Sequence, residues 1–179
     1  MAVINPDAKE LHCKLVYYGP SLGGKTTNVQ WVYQKTASPS QSELMQFDSN
    51  PERTVFFDFL PMHAGEFRGL KTRFHLFSVP GQVVYDASRR LILKNLDGVI
   101  FVADSQIERM DENIEAMRNL EKNLEKQGYD IKEVPLVIQY NKRDLPNILS
   151  VAELRAALNK YNAPDFEATA SIGRGVLET

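Results

Sequence analysis

Eight consecutive residues near the start of the chain, Gly19-Pro20-Ser21-Leu22-Gly23-Gly24-Lys25-Thr26, have the spacing G-x-x-x-x-G-K-[ST]. These residue types suit one task, the holding of a phosphate chain. Gly19, Gly23 and Gly24 let the backbone form a concave nest whose N–H groups converge on anionic oxygens. A helix that starts at Lys25 adds partial positive charge at the same point. Lys25 supplies an ammonium for the outer phosphates, and the Thr26 hydroxyl is suited to Mg²⁺. Thr27 is the candidate hydrogen-bond donor to the innermost phosphate.

A second constellation, Asn141-Lys142-Arg143-Asp144, follows the apolar run "VPLVIQY". A carboxylate at Asp144 can accept two hydrogen bonds, from N1–H and the exocyclic amine of guanine. Adenine offers neither and would leave the carboxylate unpaired, a mismatch that hydrogen-bonding sites reject by about 10⁴–10⁵ in favourable cases. Asn141 can bond the base edge and tie its loop to the phosphate loop. The Lys142 stem can lie along the purine face. In Thr169-Ala170-Ser171 the backbone N–H of Ala170 is the candidate partner of the guanine carbonyl.

The elements that must position these groups are legible from periodicity. "LHCKLVYY" reads as a strand ending at Gly19. "TVFFDFL" and "KTRFHLFSV" read as an antiparallel hairpin turning near Ala64–Gly69. "GVIFVAD" and "VPLVIQYN" are continuous apolar runs, as in strands covered on both faces, and "DFEATA" reads as a last strand. Helical spacing of apolar residues predicts helices over 25–36, about 110–127 and 151–161. The alternation predicts an α/β fold with a mostly parallel central sheet, one antiparallel edge hairpin and helices on both faces. Ligands bind at the carboxyl ends of strands in such sheets, which is where both constellations fall.

The rest of the chain bounds the answer. Its 179 residues make one domain, 43% apolar and 25% charged. A net charge of −2 provides no basic field for nucleic acid. The single Cys13 excludes an internal disulfide and reads as a small core residue. No leader or membrane span is expected at the N-terminus. Without Gly after Met1 or a cysteine near the C-terminus, no lipid anchor is expected either. "GRGVLET" reads as the first turn of a further helix, so residues 1–179 are expected to lack a C-terminal helix that would cover one face. Trp31, off the main apolar stripe of its helix, would meet that helix or a partner.

Taken in order, "GPSLGGKT", a threonine in "ERTVFF", "PGQ", "NKRD" and "EATAS" resemble the Ras-like small GTPase family over essentially the whole chain. The phrases "ERTVFFDFLP" and "VPGQVVYDASR" narrow the likeness to its bacterial cell-polarity and gliding-motility branch. The resemblance implies a P-loop GTPase fold, GTP/GDP and Mg²⁺ as ligands, and hydrolysis that is slow until stimulated. It implies Thr54 as the switch residue, its hydroxyl on Mg²⁺ and its N–H on the γ-phosphate. It makes Gln82, after Gly81, the residue that orients water, and Arg53 an arginine finger within the chain. It further implies an MglB-like roadblock homodimer as activating protein and a response-regulator-type polarity protein as reader of the GTP form. The location it implies is cytoplasmic, with partners that recruit the protein to a cell pole.

Two positions depart from the wider family. Ser78 stands in "HLFSVPGQ" where an aspartate commonly organises the metal. A hydroxyl carries no charge, so another acid is expected to compensate, and hairpin register nominates Asp58. The competing explanation is that Thr26, Thr54, phosphates and water suffice. Ser21 replaces a glycine common near the γ-phosphate and bears on hydrolysis rather than binding. The alternation of Val55, Phe57 and Phe59 with Phe56 and Leu60 makes an edge strand that is either a docking surface or buried. The alternative to a hydrolysing switch is a GTP-dependent scaffold with little hydrolysis. An ATP-dependent kinase is disfavoured by "NKRD".

Overall fold

The computed structural model describes residues 2–36, 45–46, 58–79 and 86–179. The strands are β1 (Val3–Asn5), β2 (Glu10–Tyr18), β3 (Met45–Gln46), β4 (Asp58–Phe67), β5 (Leu70–Ser78), β6 (Gly98–Asp104), β7 (Leu136–Asn141) and β8 (Asp165–Glu167). The helices are α1 (Lys25–Thr36), α2 (Asp86–Leu93), α3 (Met110–Lys126) and α4 (Val151–Leu158). A short 3₁₀ turn, Ile107–Arg109, leads into α3.

The sheet runs β3-β4-β5-β2-β6-β7-β8, with β1 paired to the start of β2. From β5 to β8 it is parallel, and the β4–β5 hairpin is antiparallel, as the alternation of runs predicts. Two short antiparallel additions, β1–β2 and β3–β4, have no comparable sequence signal because each rests on very few residues.

Every residue of β6 is buried, since α-helical layers cover both faces of this central strand. Side chains along β2 and β6 alternate between two cores. Val16, Tyr18, Phe101 and Ala103 pack with Leu120 and Leu124 of α3 and Leu154 and Leu158 of α4. Tyr17, Ile100 and Val102 face the other way, onto Val29 and Val32 of α1 and Val176.

The hairpin turns at Arg68–Gly69, both at positive φ (51° and 79°), the geometry that suits the right-handed twist of a tight hairpin. An irregularity between His63 and Glu66 shifts the register. Beyond it Phe59 pairs with Phe77. One step further along the same register brings Asp58, the first residue of β4, beside Ser78, the last of β5.

One expected element differs in its extent. α4 stops at Leu158 rather than Tyr161. The Asn159 side chain donates to the Ala163 carbonyl and accepts from the Ala163 N–H, so it closes a turn in place of helical bonds. At its other end α4 has a reciprocal capping box between Ser150 and Glu153. "GRGVLET" forms turns. Gly173 and Gly175 have φ of 78° and 73°, and Thr169 N–H donates to Arg174 O at 2.9 Å. Trp31 packs directly over Gly173 and belongs with the α1 core.

Candidate functional site

The strand β2 delivers the chain to Gly19 at the carboxyl edge of the sheet. Gly19 has φ of 140°, and a Cβ there would sit 2.2 Å from the Val102 carbonyl oxygen of β6. Only glycine allows the loop to leave the sheet so close to its neighbour. Gly24 has φ of 101°, with room for no Cβ beside Asn141 Nδ2 at 2.1 Å. Between them Leu22 takes a left-handed φ of 59° and exposes its side chain. The loop ends where Asn28 N–H donates to Gly24 O at 3.0 Å, which starts α1.

Lys25 lies folded into this loop. Its Nζ donates to the carbonyls of Gly19 (3.0 Å) and Pro20 (2.6 Å), and the residue is buried. The ammonium is thus held against the loop's own carbonyls. Thr26 and Thr27 are both exposed at the N-terminus of α1.

The second loop leaves β7, two strands away. Asn141 Nδ2 donates to the Gly23 carbonyl at 2.9 Å, and Asn141 Oδ1 accepts from the Ala170 N–H at 2.9 Å. One side chain therefore joins the phosphate loop, the "NKRD" loop and the segment after β8. The tie from Asn141 to the phosphate loop matches the sequence reading. The Ala170 N–H, expected to meet a base carbonyl, is directed at Asn141, so a base carbonyl at this amide would share it. Lys142 has a φ of 65° that turns the chain, and Asp144 is exposed beyond it. Arg143 braces the loop from behind, through Glu167 (2.9 Å) and the Leu149 carbonyl (2.6 Å).

Several polar residues outside both motifs build the floor. Asp104 ends β6, is fully buried, and takes the Lys142 ammonium at 2.6 Å. Gln106 donates to the same carboxylate through its backbone N–H and its amide. Asn113 bonds both the N–H and the carbonyl of Asp104. Arg109 reaches from the 3₁₀ turn to the Ser21 carbonyl at 2.7 Å. Asn28 and Gln139 exchange hydrogen bonds beneath the phosphate loop. The sequence offers a weak signal for Asp104, an acid closing an apolar strand at the ligand edge, and none for the others. Under the same edge Tyr17 pairs in register with Ser78, and burial pushes its hydroxyl well above its ordinary value, so it contributes no charge.

Residues 53–172 match the profile of the ADP-ribosylation factor family. The chain belongs to the Arf/Ras-like small GTPases. The mutual gliding-motility protein MglA of Myxococcus xanthus (strain DK1622) is 58% identical over 179 residues, covering 100% of this chain and 92% of that protein. Human ADP-ribosylation factor-like protein 4A is 35% identical over 86 residues, 48% of this chain and 40% of that one. Human ADP-ribosylation factor-like protein 4C is 32% identical over 111 residues, 58% and 55% respectively.

As a small GTPase the chain is a guanine-nucleotide-binding switch. The fold brings Gly19, Gly23, Gly24, Lys25, Thr26, Asn141, Lys142, Asp144 and Ala170 to one edge of the sheet. Arg53, Thr54, Gly81 and Gln82 lie outside the described residues, as do Val55, Phe56 and Phe57 of the expected edge strand. Asp58 is placed by its backbone alone, at the register position beside Ser78. Among the described residues no helix is long and apolar enough to cross a membrane.

Proposed function

We propose that this small GTPase hydrolyses GTP to GDP and phosphate, and that partners reading its nucleotide state use it to control cell polarity or motility. The single observation that carries the site is Asn141, bonded at once to Gly23 of the phosphate loop and to Ala170 beside the base loop. A ligand that fits both loops together carries a base at one end and phosphates at the other. Asp144 selects guanine, and the Lys142 stem lines the base. The phosphate nest is made by Gly19 to Lys25, with Thr27 reaching the innermost phosphate. The motility role rests on the likeness to MglA.

Mg²⁺ suits the residues present. Thr26 follows the nest directly, and Mg²⁺ usually takes one or two protein oxygens and keeps phosphates and waters for the rest. No group of three or more His, Cys, Asp or Glu among the described residues makes a separate metal cage. Thr26 and Thr54 would hold the ion, with Asp58 in support, and it supplies neutralising charge on the outer phosphates.

In the reaction, water attacks the γ-phosphorus as its bond to the bridging oxygen breaks. GDP leaves with that electron pair, and the proton of water ends on inorganic phosphate. Gln82 orients the water. Arg53 stabilises the charge that develops, an effect worth about 10³–10⁵ in rate where such a residue acts. An MglB-like roadblock homodimer accelerates this step by contacting the segments that carry Thr54 and Gln82. A response-regulator-type polarity protein reads the GTP form and brings it to a cell pole.

A nucleotide-dependent scaffold is the second reading. It is favoured by Ser78, a buried hydroxyl where the family commonly has an acid, and by Ser21. Phosphate release from GTP, with and without a roadblock homodimer, separates the two. Stimulated turnover that is lost in Gln82→Ala and Arg53→Ala supports hydrolysis, and GTP binding without release supports the scaffold. Equal calorimetric heats for GTP and ATP would end both.

A further inference from the structure

We infer that Arg109 is a positioning residue for the phosphate loop, setting the orientation of the Ser21–Leu22 peptide and so of one of its N–H donors. Arg109 lies 88 positions from Ser21 in sequence, yet its Nη2 donates to the Ser21 carbonyl oxygen at 2.7 Å. A trans peptide is planar, and its C=O and N–H point in opposite directions. Holding the carbonyl of Ser21 therefore aims the N–H of Leu22 away from the guanidinium. Leu22 itself has a left-handed φ of 59°. Successive N–H groups around such a residue form an anion-binding concavity, and a peptide flip would remove one of them.

The surroundings of Arg109 favour geometry over field. Its Nη1 donates to Glu112, and its Nε is 3.8 Å from Asp104 Oδ2. Asp104 in turn pairs with Lys142 at 2.6 Å. Two carboxylates and two cations leave this group with no net charge, so its long-range pull on a polyanion is small. What remains is placement. The buried Asp104 stands between Arg109, which holds the phosphate loop, and Lys142, which belongs to the base loop. A guanidinium can serve Ser21, Glu112 and Asp104 together because its donors form a rigid fork, which a lysine lacks.

The inference rests on the guanine-nucleotide reading, and its test is arranged to fail separately. GDP dissociation and the phosphorus NMR spectrum of bound GDP are compared in the wild type, Arg109→Gln and Arg109→Lys. Loss of the anchor is expected to speed GDP release about tenfold, the scale of one hydrogen bond to a charged donor. The β-phosphorus resonance is expected to move while the α-phosphorus resonance and the preference for guanine over adenine nucleotides stay. Arg109→Lys keeps the charge and guards against loss of folding in the glutamine variant. It is expected to give the same displaced β resonance in smaller measure. Release within about twofold of wild type with an unmoved β resonance would overturn the proposal. So would equal displacement of both resonances with a lower melting temperature, the mark of a merely structural role. If the wild type binds no guanine nucleotide, the functional reading falls and takes this one with it. If it binds GDP and the variants match it, only the role of Arg109 falls.

Discussion

Asn28 and Gln139, 111 residues apart, exchange two hydrogen bonds of 2.8 and 3.0 Å in the core between α1 and β7. Both side chains are fully buried. Asn28 also donates to the Gly24 carbonyl at 2.9 Å, while Gln139 donates to Thr179. The amide pair therefore connects the end of the phosphate loop to the strand that ends at Asn141. Truncating one partner strands the polar atoms of the other, at a cost of about 1–3 kcal/mol. Asn28→Ala is expected to lose that much in urea unfolding, and Asn28→Leu combined with Gln139→Leu less than the sum of the single changes. Additive losses in the double-mutant cycle would show that the pair does not act as a unit.

Gly24→Ala places a Cβ at a φ of 101° and drives it to 2.1 Å from Asn141 Nδ2. The strained backbone costs about 1–3 kcal/mol, and the displaced Asn141 loses its bond to Gly23. Guanine nucleotide affinity is expected to fall by at least about tenfold, read by calorimetry on a protein that retains its circular dichroism spectrum. An unchanged affinity would mean that the tie between the two loops is dispensable for binding.

Asp58 is one register step beyond the Phe59–Phe77 pair, beside the buried Ser78. If its carboxylate supplies the charge that Ser78 lacks, Asp58→Ala raises the Mg²⁺ concentration needed for half-maximal GTP binding by about tenfold. A magnesium titration with a fluorescent GTP analogue reads this. If the two curves superimpose, Thr26, Thr54, the phosphates and water are sufficient.

A stability response to pH is expected at the opposite end of the strands. His12 on β2 and His75 on β5 share a hydrogen bond of 2.8 Å between ring nitrogens, with the ring planes 15° apart. Glu10 on β2 pairs with His12 and with Arg73 on β5. Burial, with His12 and Arg73 adding to it, holds the His75 pKa below its ordinary 6.5. A base with a depressed folded pKa takes up fewer protons folded than unfolded as pH drops. Stability is then complete above about pH 6.5 and is lost as pH falls through the folded value. Urea unfolding between about pH 7.5 and pH 5 is expected to show this loss, and His75→Gln to flatten it. Parallel slopes for the two proteins would place the titration elsewhere.

Most of the architecture was legible in the linear chain because its signals are local. A strand that must be covered twice reads as an unbroken apolar run, and β6 and β7 do. The glycines at 19 and 24 are visible as a spaced motif since one loop needs them together. Boundaries were less legible where a side chain competes with the backbone, as Asn159 does at the end of α4. In "GRGVLET" two glycines adopt left-handed conformations, a feature that helical spacing does not signal.

From composition and motif alone came the class of ligand, the base preference and the edge of the sheet where both loops lie. Those properties depend on residue types at fixed short spacing, which a chain carries with it before folding. Only the folded molecule decided that Asp104 would pair with Lys142, that Arg109 would reach Ser21, and that Asn28 would face Gln139. Each of these is a polar residue whose partner is tens of residues away. Its meaning is set by burial and register, quantities that exist only once the sheet has brought the segments together.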